Sequence, residues 1–174
     1  MSTEDLALEH GEYEIKELHG TQLLLFKSGK VYKLSKCRGW IYVPNTKNLN
    51  TGYNIIGVGQ TDNNNLKLYL RHRLLAYAFL NLDIENTKLQ VDHIDGDRLN
   101  NNINILRIVN HQQNCFNRTT AKGYTYNRET DKYIAAICRD YRTIYLGTYD
   151  TEEEAHQAYL QAKIIYHPIV NAIV

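Results

Sequence analysis

Short apolar runs separated by clusters of glycine, asparagine and aspartate set the rhythm of the chain. Leu23-Leu24-Leu25-Phe26 and Val31-Tyr32-Lys33-Leu34 read as two strands joined by the turn Lys27-Ser28-Gly29-Lys30. A third candidate strand, Arg38 to Val43, is closed by Pro44. A second hairpin is predicted from Gly52–Val58 and Leu66–Leu70, with the polar, mobile loop Thr61–Asn65 between them. Apolar residues at 74, 75, 78 and 79 give His72–Leu80 a helical spacing. Val91 to Ile94 predicts a strand in which Val91 and Ile94 are anchors while Asp92 and His93 face a cleft. The next residues, Asp95 to Asn102, are too rich in Asp and Asn for a helix or strand interior. The chain returns through Leu106-Arg107-Ile108-Val109 into a short polar helix with His111 and Asn114.

Beyond residue 119 the pattern changes. Three short strands are predicted, at 123–128, 132–139 and 142–147, with turns at Thr130-Asp131 and Asp140-Tyr141. Alternation directs Tyr133, Ala135 and Ile137 inward and Ile134, Ala136 and Cys138 outward. Thr151 and Glu154 form a capping box. The helix they open would place Ala155, Ala158, Tyr159, Ala162, Ile165 and Tyr166 on one face and stop at Pro168.

At 174 residues the chain allows one medium domain or two small ones. It has no apolar run of membrane-spanning length, so no membrane partner is expected. The first twenty residues lack the basic start and apolar centre of a signal peptide, which leads to the expectation of a cytoplasmic protein. Cys37, Cys115 and Cys138 form no Cys-x-x-Cys pair, arguing against a disulfide frame and against structural zinc. Charge is uneven: residues 1–20 read as an acidic arm with six acids against Lys16, and the remainder holds nineteen basic against thirteen acidic side chains. A basic body behind an acidic arm suits a polyanionic ligand.

The candidate chemistry lies in the middle of the chain. Strand, loop, strand and helix bring Asp92, His93 and Asn114 within reach of one another. A carboxylate and an amide oxygen suit a hard divalent cation. A histidine beside them suits proton abstraction from water. Asp95 and Asp97, flanking Gly96, are expected to hold the turn rather than a metal. His111 is the reserve ligand, one helical turn before Asn114. Arg73, Arg98, Arg107 and Arg118 are candidate phosphate contacts.

This region resembles the HNH endonucleases of the phage and intron-encoded homing type. The carrying residues are His72-Arg73-Leu74, Asp92-His93-Ile94-Asp95-Gly96-Asp97, Asn100-Asn101, Leu106-Arg107 and Gln113-Asn114-Cys115-Phe116-Asn117-Arg118. The resemblance implies a ββα-metal (His-Me finger) core with His93 as general base. It further implies that Asp92 and Asn114 hold one Mg²⁺ or Mn²⁺ on the scissile phosphate of double-stranded DNA. Ile105 stands where the family has an asparagine that braces the catalytic loop. Either Asn102 or Asn104 substitutes for it, or the loop is looser and the enzyme slower.

The tail resembles the DNA-binding domain of plant ethylene-response factors. It does so through Gly123, Lys132-Tyr133, Ala135, Ile137, Leu146-Gly147-Thr148-Tyr149-Asp150-Thr151, Glu153-Glu154-Ala155 and Ala158-Tyr159. That family lays its three-stranded sheet in the major groove. The family usually has arginines at some of the outward positions; here those are Ile134, Ala136 and Cys138, and Arg128, Lys132, Arg139 and Arg142 remain as the DNA-binding candidates.

The expected whole is an α+β chain. It comprises the acidic arm 1–20, a β region plus nuclease at 21–118, and a three-stranded antiparallel sheet packed on one helix at 119–174. The expected activity is that of a site-preferring DNA endonuclease, acting as a monomer or transient dimer. The alternative is a weakened or inactive HNH protein that only binds DNA.

Overall fold

The computed structural model describes residues 1–59, 66–116 and 121–167. The described residues divide into two units, 1–111 and 112–167. The architecture is mixed α+β, as the sequence implies.

In the first unit, β1 (Tyr13–Leu18), β2 (Thr21–Phe26), β3 (Val31–Ser35) and β4 (Gly39–Tyr42) form an antiparallel meander in that order. The run Leu23-Leu24-Leu25-Phe26 is wholly buried because both faces of β2 are covered. Leu24 and Phe26 meet Leu6 of helix α1 (Thr3–His10), joined by Tyr32 and Trp40. Leu23, Leu25 and Val31 turn the other way, into the main core. Trp40 completes its packing by donating from Nε1 to Thr3 Oγ1 at 3.0 Å.

The acidic segment 1–20 is therefore not an arm. Ser2 and Asp5 cap α1 reciprocally, and β1 pairs along its length with β2. Its acids other than Glu12 sit on a helix anchored through Leu6 and on an edge strand. Sequence reading missed this because only one fully buried anchor marks the helix.

The second hairpin forms as β5 (Ile55–Val58) and β6 (Lys67–Leu70); its loop at 61–65 lies outside the described residues. Helix α2 (Arg71–Phe79) follows directly and buries Leu74, Leu75 and Ala76. The ribbon β7 (Gln90–His93) and β8 (Leu106–Val109) packs Val91, Leu106 and Ile108 against the same core. Between them a single 3₁₀ turn spans Ile103–Ile105. Helix α3 (His111–Phe116) crosses the boundary between the units, so the division falls inside α3 rather than after residue 118.

Arg71 is fully buried at the start of α2. Nε donates to Asn54 Oδ1 at 2.7 Å, Nη1 to Gly29 O at 3.0 Å, and Nη2 to Val43 O at 2.6 Å and Pro44 O at 3.0 Å. Burial lowers its pKa to about 10, which leaves it charged at neutral pH. One guanidinium thereby ties the β2–β3 turn, the end of β4 and Asn54 to α2.

In the second unit, β9 (Tyr124–Asn127), β10 (Lys132–Arg139) and β11 (Arg142–Tyr149) lie in the order β11-β10-β9. The two-residue turn after β10 has positive φ at Asp140 (50°) and Tyr141 (61°), the twist a tight hairpin needs. Helix α4 (Glu152–Tyr166) carries the expected capping box at Thr151 and Glu154. It buries Ala155, Tyr159 and Ala162 on the sheet side, where Ala135 and Ile137 are buried as alternation requires. Gly123 has φ +74°, and a Cβ there would sit 1.9 Å from the Tyr159 ring, so only glycine fits. Ile165 does not join this face; it is 66% exposed on the last turn of the helix. Pro168 lies outside the described residues. Among the described residues no helix is long and apolar enough to cross a membrane.

Candidate active site

The ribbon β7–β8 sets the first two residues. Its register pairs Val91 with Ile108, Asp92 with Arg107 and His93 with Leu106. Asp92 and His93 are both buried, and as neighbours in a strand they turn different ways. Ile94 is not the expected anchor: it is 46% exposed and only its N–H is held, by Ile105 O at 2.9 Å.

Asp92 meets its cross-strand partner. Arg107 Nε and Nη2 both donate to Asp92 Oδ2, at 2.9 and 2.5 Å, in a pair almost wholly removed from solvent. Arg107 is thus a buried counter-ion and not the expected phosphate contact. The sequence carried a signal for this that went unused: in a ribbon of this register an arginine directly opposite an aspartate forms a cross-strand ion pair.

His93 lies in a cluster of rings. His72 stands edge-on to it, with centroids 4.9 Å apart and planes at 80°. Tyr53 lies 5.9 Å from His93 and 4.9 Å from His72. Burial pushes the His93 pKa below its ordinary value; a hydrogen-bonding contact with Asn101 and the carboxylates of Asp95, Asp92 and Asp97 oppose the shift without reversing it. His93 is consequently neutral at neutral pH and able to accept a proton. Burial lowers the His72 pKa much further, to about 3, so His72 contributes an uncharged wall, in keeping with the structural role expected of it.

The loop after His93 is built from successive side-chain turns. Gly96 N–H donates to His93 O at 3.0 Å with φ +74° at Gly96. Asp95 Oδ1 accepts from Asp97 N at 3.0 Å, and Asp97 Oδ1 from Leu99 N at 2.9 Å. Both aspartates hold the turn, as expected. Asn101 is buried; its Nδ2 donates to Leu99 O at 2.9 Å and Asn45 Oδ1 at 3.2 Å. Asn102 caps the 3₁₀ turn through Asn104 N at 3.0 Å. Bracing near Ile105 therefore rests on Asn101 together with Asn102; Asn104 supplies only a backbone donor.

A second brace comes from the β2–β3 turn. Lys27 O accepts from Ile103 N at 2.9 Å, and Gly29 presses on Asn101 so closely that a Cβ would sit 2.8 Å from its carbonyl carbon. The sequence marked Gly29 only as a turn residue; its approach to a loop seventy positions away is tertiary.

The remaining cations divide. Arg73 donates to the carbonyls of Leu89 (2.8 Å), Asn86 (2.9 Å) and Ile84 (3.2 Å), so it staples the connector into β7 rather than reaching outward to a phosphate. Arg98 is exposed and lies over the Tyr53 ring at 5.0 Å. Arg118 lies outside the described residues. His111 Nδ1 is 3.4 Å from Gln90 Nε2. Asn114 is half-buried on α3, in the second unit. In that unit Arg128, Lys132, Arg139 and Arg142 are all exposed; Lys132 pairs with Asp150 at 2.8 Å and Arg139 with Asp140 at 3.5 Å. No cluster of three or more His, Cys, Asp or Glu able to hold a metal occurs among the described residues.

Residues 69–115 match the family model described as HNH endonuclease. An uncharacterized HNH endonuclease of Acanthamoeba polyphaga mimivirus is 36% identical over 73 residues, which are 41% of this chain and 39% of that relative. The chain thus spans about two fifths of the length of the curated relative it matches. A solved structure, "DNA binding and cleavage by the HNH homing endonuclease I-HmuI", is similar at 23% identity and a TM-score of 0.48, over 91% of this chain and 94% of that one. The match to the HNH endonuclease family model ends at Cys115.

Proposed function

We propose that this protein is a divalent-metal-dependent endonuclease acting on double-stranded DNA, of the homing type. The observation that carries the reading is His93: a buried, neutral imidazole at the end of β7, inside the matched segment, on a loop braced by Asn101, Gly29 and its own aspartates. In the reaction His93 takes a proton from a water as that water's oxygen bonds to phosphorus; the bond from phosphorus to the 3′ oxygen breaks. Its depressed pKa keeps the acceptor nitrogen available at neutral pH.

One carboxylate oxygen and one amide oxygen suit Mg²⁺ or Mn²⁺, which are hard cations that retain several waters. Asp92 and Asn114 are the residues that would hold it. When bound, the ion supplies charge stabilisation for the phosphate. Arg98 on the catalytic loop, with Arg128, Lys132, Arg139 and Arg142 on the exposed sheet of the second unit, would carry the strand. That sheet-on-helix unit serves as a DNA-binding module in this reading, of the ethylene-response-factor kind. One such site breaks one strand.

A specific observation favours the rival, a protein that binds DNA without cutting it. Arg107 places two donors on Asp92 Oδ2, on the same carboxylate the cation needs. Supercoiled plasmid incubated with Mg²⁺, with Mn²⁺ and with EDTA separates the two. Nicked or linear product in either metal and none in EDTA is expected. Retarded but intact plasmid at every metal concentration would establish the rival.

A further inference from the structure

The connection between β4 and β5, residues 44–54, has no regular structure yet is firmly held. Buried Asn54 donates to Thr46 O at 2.7 Å and Pro44 O at 3.3 Å. Asn48 Oδ1 accepts from Asn50 N at 3.0 Å and Thr51 N at 3.1 Å. Asn45 Nδ2 donates to Leu99 O at 2.6 Å, joining the connection to the loop that follows His93. Between these two segments lies a cleft of about 340 Å³ lined by Lys47, Gly52, Gly96, Asp97, Arg98 and Leu99.

The cleft is built to hold a guanidinium in one place. Arg98 Nη1 donates to Thr51 O at 3.1 Å while its plane rests on Tyr53. Gly52 allows this: with φ +77°, its position would carry a Cβ 3.0 Å from Arg98 Nη1. The planar fork has five donors, of which Thr51 takes one. Lys47, exposed on the facing wall, adds a second cation. Asp97 is the single carboxylate in the lining, and its Oδ1 already accepts from Leu99 N. Tyr53, beneath Arg98, is the same ring that packs on His93 and His72.

We propose that this cleft seats one backbone phosphate of the strand bound at His93, gripped by Lys47 and Arg98. Two cations against one carboxylate leave the lining net positive, which favours an anion. The fork of Arg98 matches phosphate oxygens in geometry as well as charge. The proposal rests on the endonuclease reading and extends it by a contact on the β4–β5 connection.

The test uses the full chain and a fluorescently labelled duplex in EDTA, with affinity measured across a salt series. Neutralising one phosphate contributes about 0.9 to the slope of log K against log salt. The double variant Lys47→Ala/Arg98→Ala is therefore expected to lose about 0.9 of slope, the share of one phosphate and not of two. Its affinity should fall by the same factor on duplexes of unrelated sequence, and Arg98→Lys should keep most of the slope. Both side chains are exposed, so thermal melts of the variants should match wild type; a melt that does match makes the binding result decisive. A double variant with the wild-type slope and affinity would overturn the cleft assignment while leaving the endonuclease reading intact. A wild-type protein that neither binds nor cuts duplex DNA would sink both.

Discussion

Among the described residues, the two units differ in how many polar side chains they bury. The first buries Arg71, His72, Asp92, His93, Asn101 and Arg107; backbone carbonyls partner Arg71 and Asn101, and Arg107 pairs with Asp92. The second has a small core of Ala135, Ile137, Ala155, Tyr159 and Ala162 and leaves Arg128, Lys132, Arg139 and Arg142 in solvent. Burying polar groups is costly unless each finds a partner, and the gain is fixed geometry. Keeping cations exposed costs little and yields a surface that adapts to a polyanion. Under the proposed function, the first unit would position the reacting groups and the second would hold the long charged ligand.

The largest effect is expected where the burial is deepest. Arg107→Met leaves Asp92 with an uncompensated buried charge, which should cost about 3–5 kcal/mol in denaturant unfolding. A loss under ~1 kcal/mol would mean that the pair is wet and the first unit less committed than described. Gly29→Ala comes next, because it strains a φ of +93° and drives a methyl into the Asn101 backbone. A cost of about 1–3 kcal/mol is expected, with a lower cleavage rate as the catalytic loop shifts. Unchanged cleavage in Gly29→Ala would show that the β2–β3 turn is a bystander.

An effect that is small near neutrality and grows with acid comes from His72. His72 is buried and its pKa in the fold is about 3, against 6.5 when unfolded. Between those values the unfolded chain binds the extra proton, so stability falls as pH drops from 6.5 toward about 3, approaching 1.4 kcal/mol per pH unit. His72→Gln should flatten that slope, provided the variant folds; a stability profile with the same steepness in both proteins would reassign the linkage to other groups. Smallest of all, Arg139→Ala and Arg142→Ala should change stability by no more than ~0.5 kcal/mol. Each should still reduce the salt dependence of duplex binding, by about one unit of slope at most. Loss of folding in either would place the sheet's cations in the core's service and erase the contrast.

Much of the architecture was legible from the chain. Alternation and turn chemistry placed the hairpins, the ribbon around Asp92 and His93, and the sheet beneath α4, because each depends on residues close in sequence. The reading failed where distant segments decide. Leu6 looked like one apolar residue in an acidic arm until Leu24 and Phe26 covered it. Arg71 and Arg73 lie two positions apart with no sequence cue to their partners, which lie in the turns and connectors at 29, 43–44 and 84–89. The brace on the loop moved to Asn101 because Gly29 and Asn45 press on it from other elements, and a single asparagine-rich string offers several equivalent candidates. Tyr53 and Lys47 were invisible as site residues, since nothing local in residues 44–54 announces a wall of the cleft.

The role of His93 is the claim on which the rest depends. The direct measurement is plasmid nicking by His93→Ala in Mg²⁺ or Mn²⁺, with duplex affinity determined on the same preparation. A fall in rate of about 10²–10⁴-fold at unchanged affinity is expected for a lost general base. Cleavage by the variant at the wild-type rate would contradict the account.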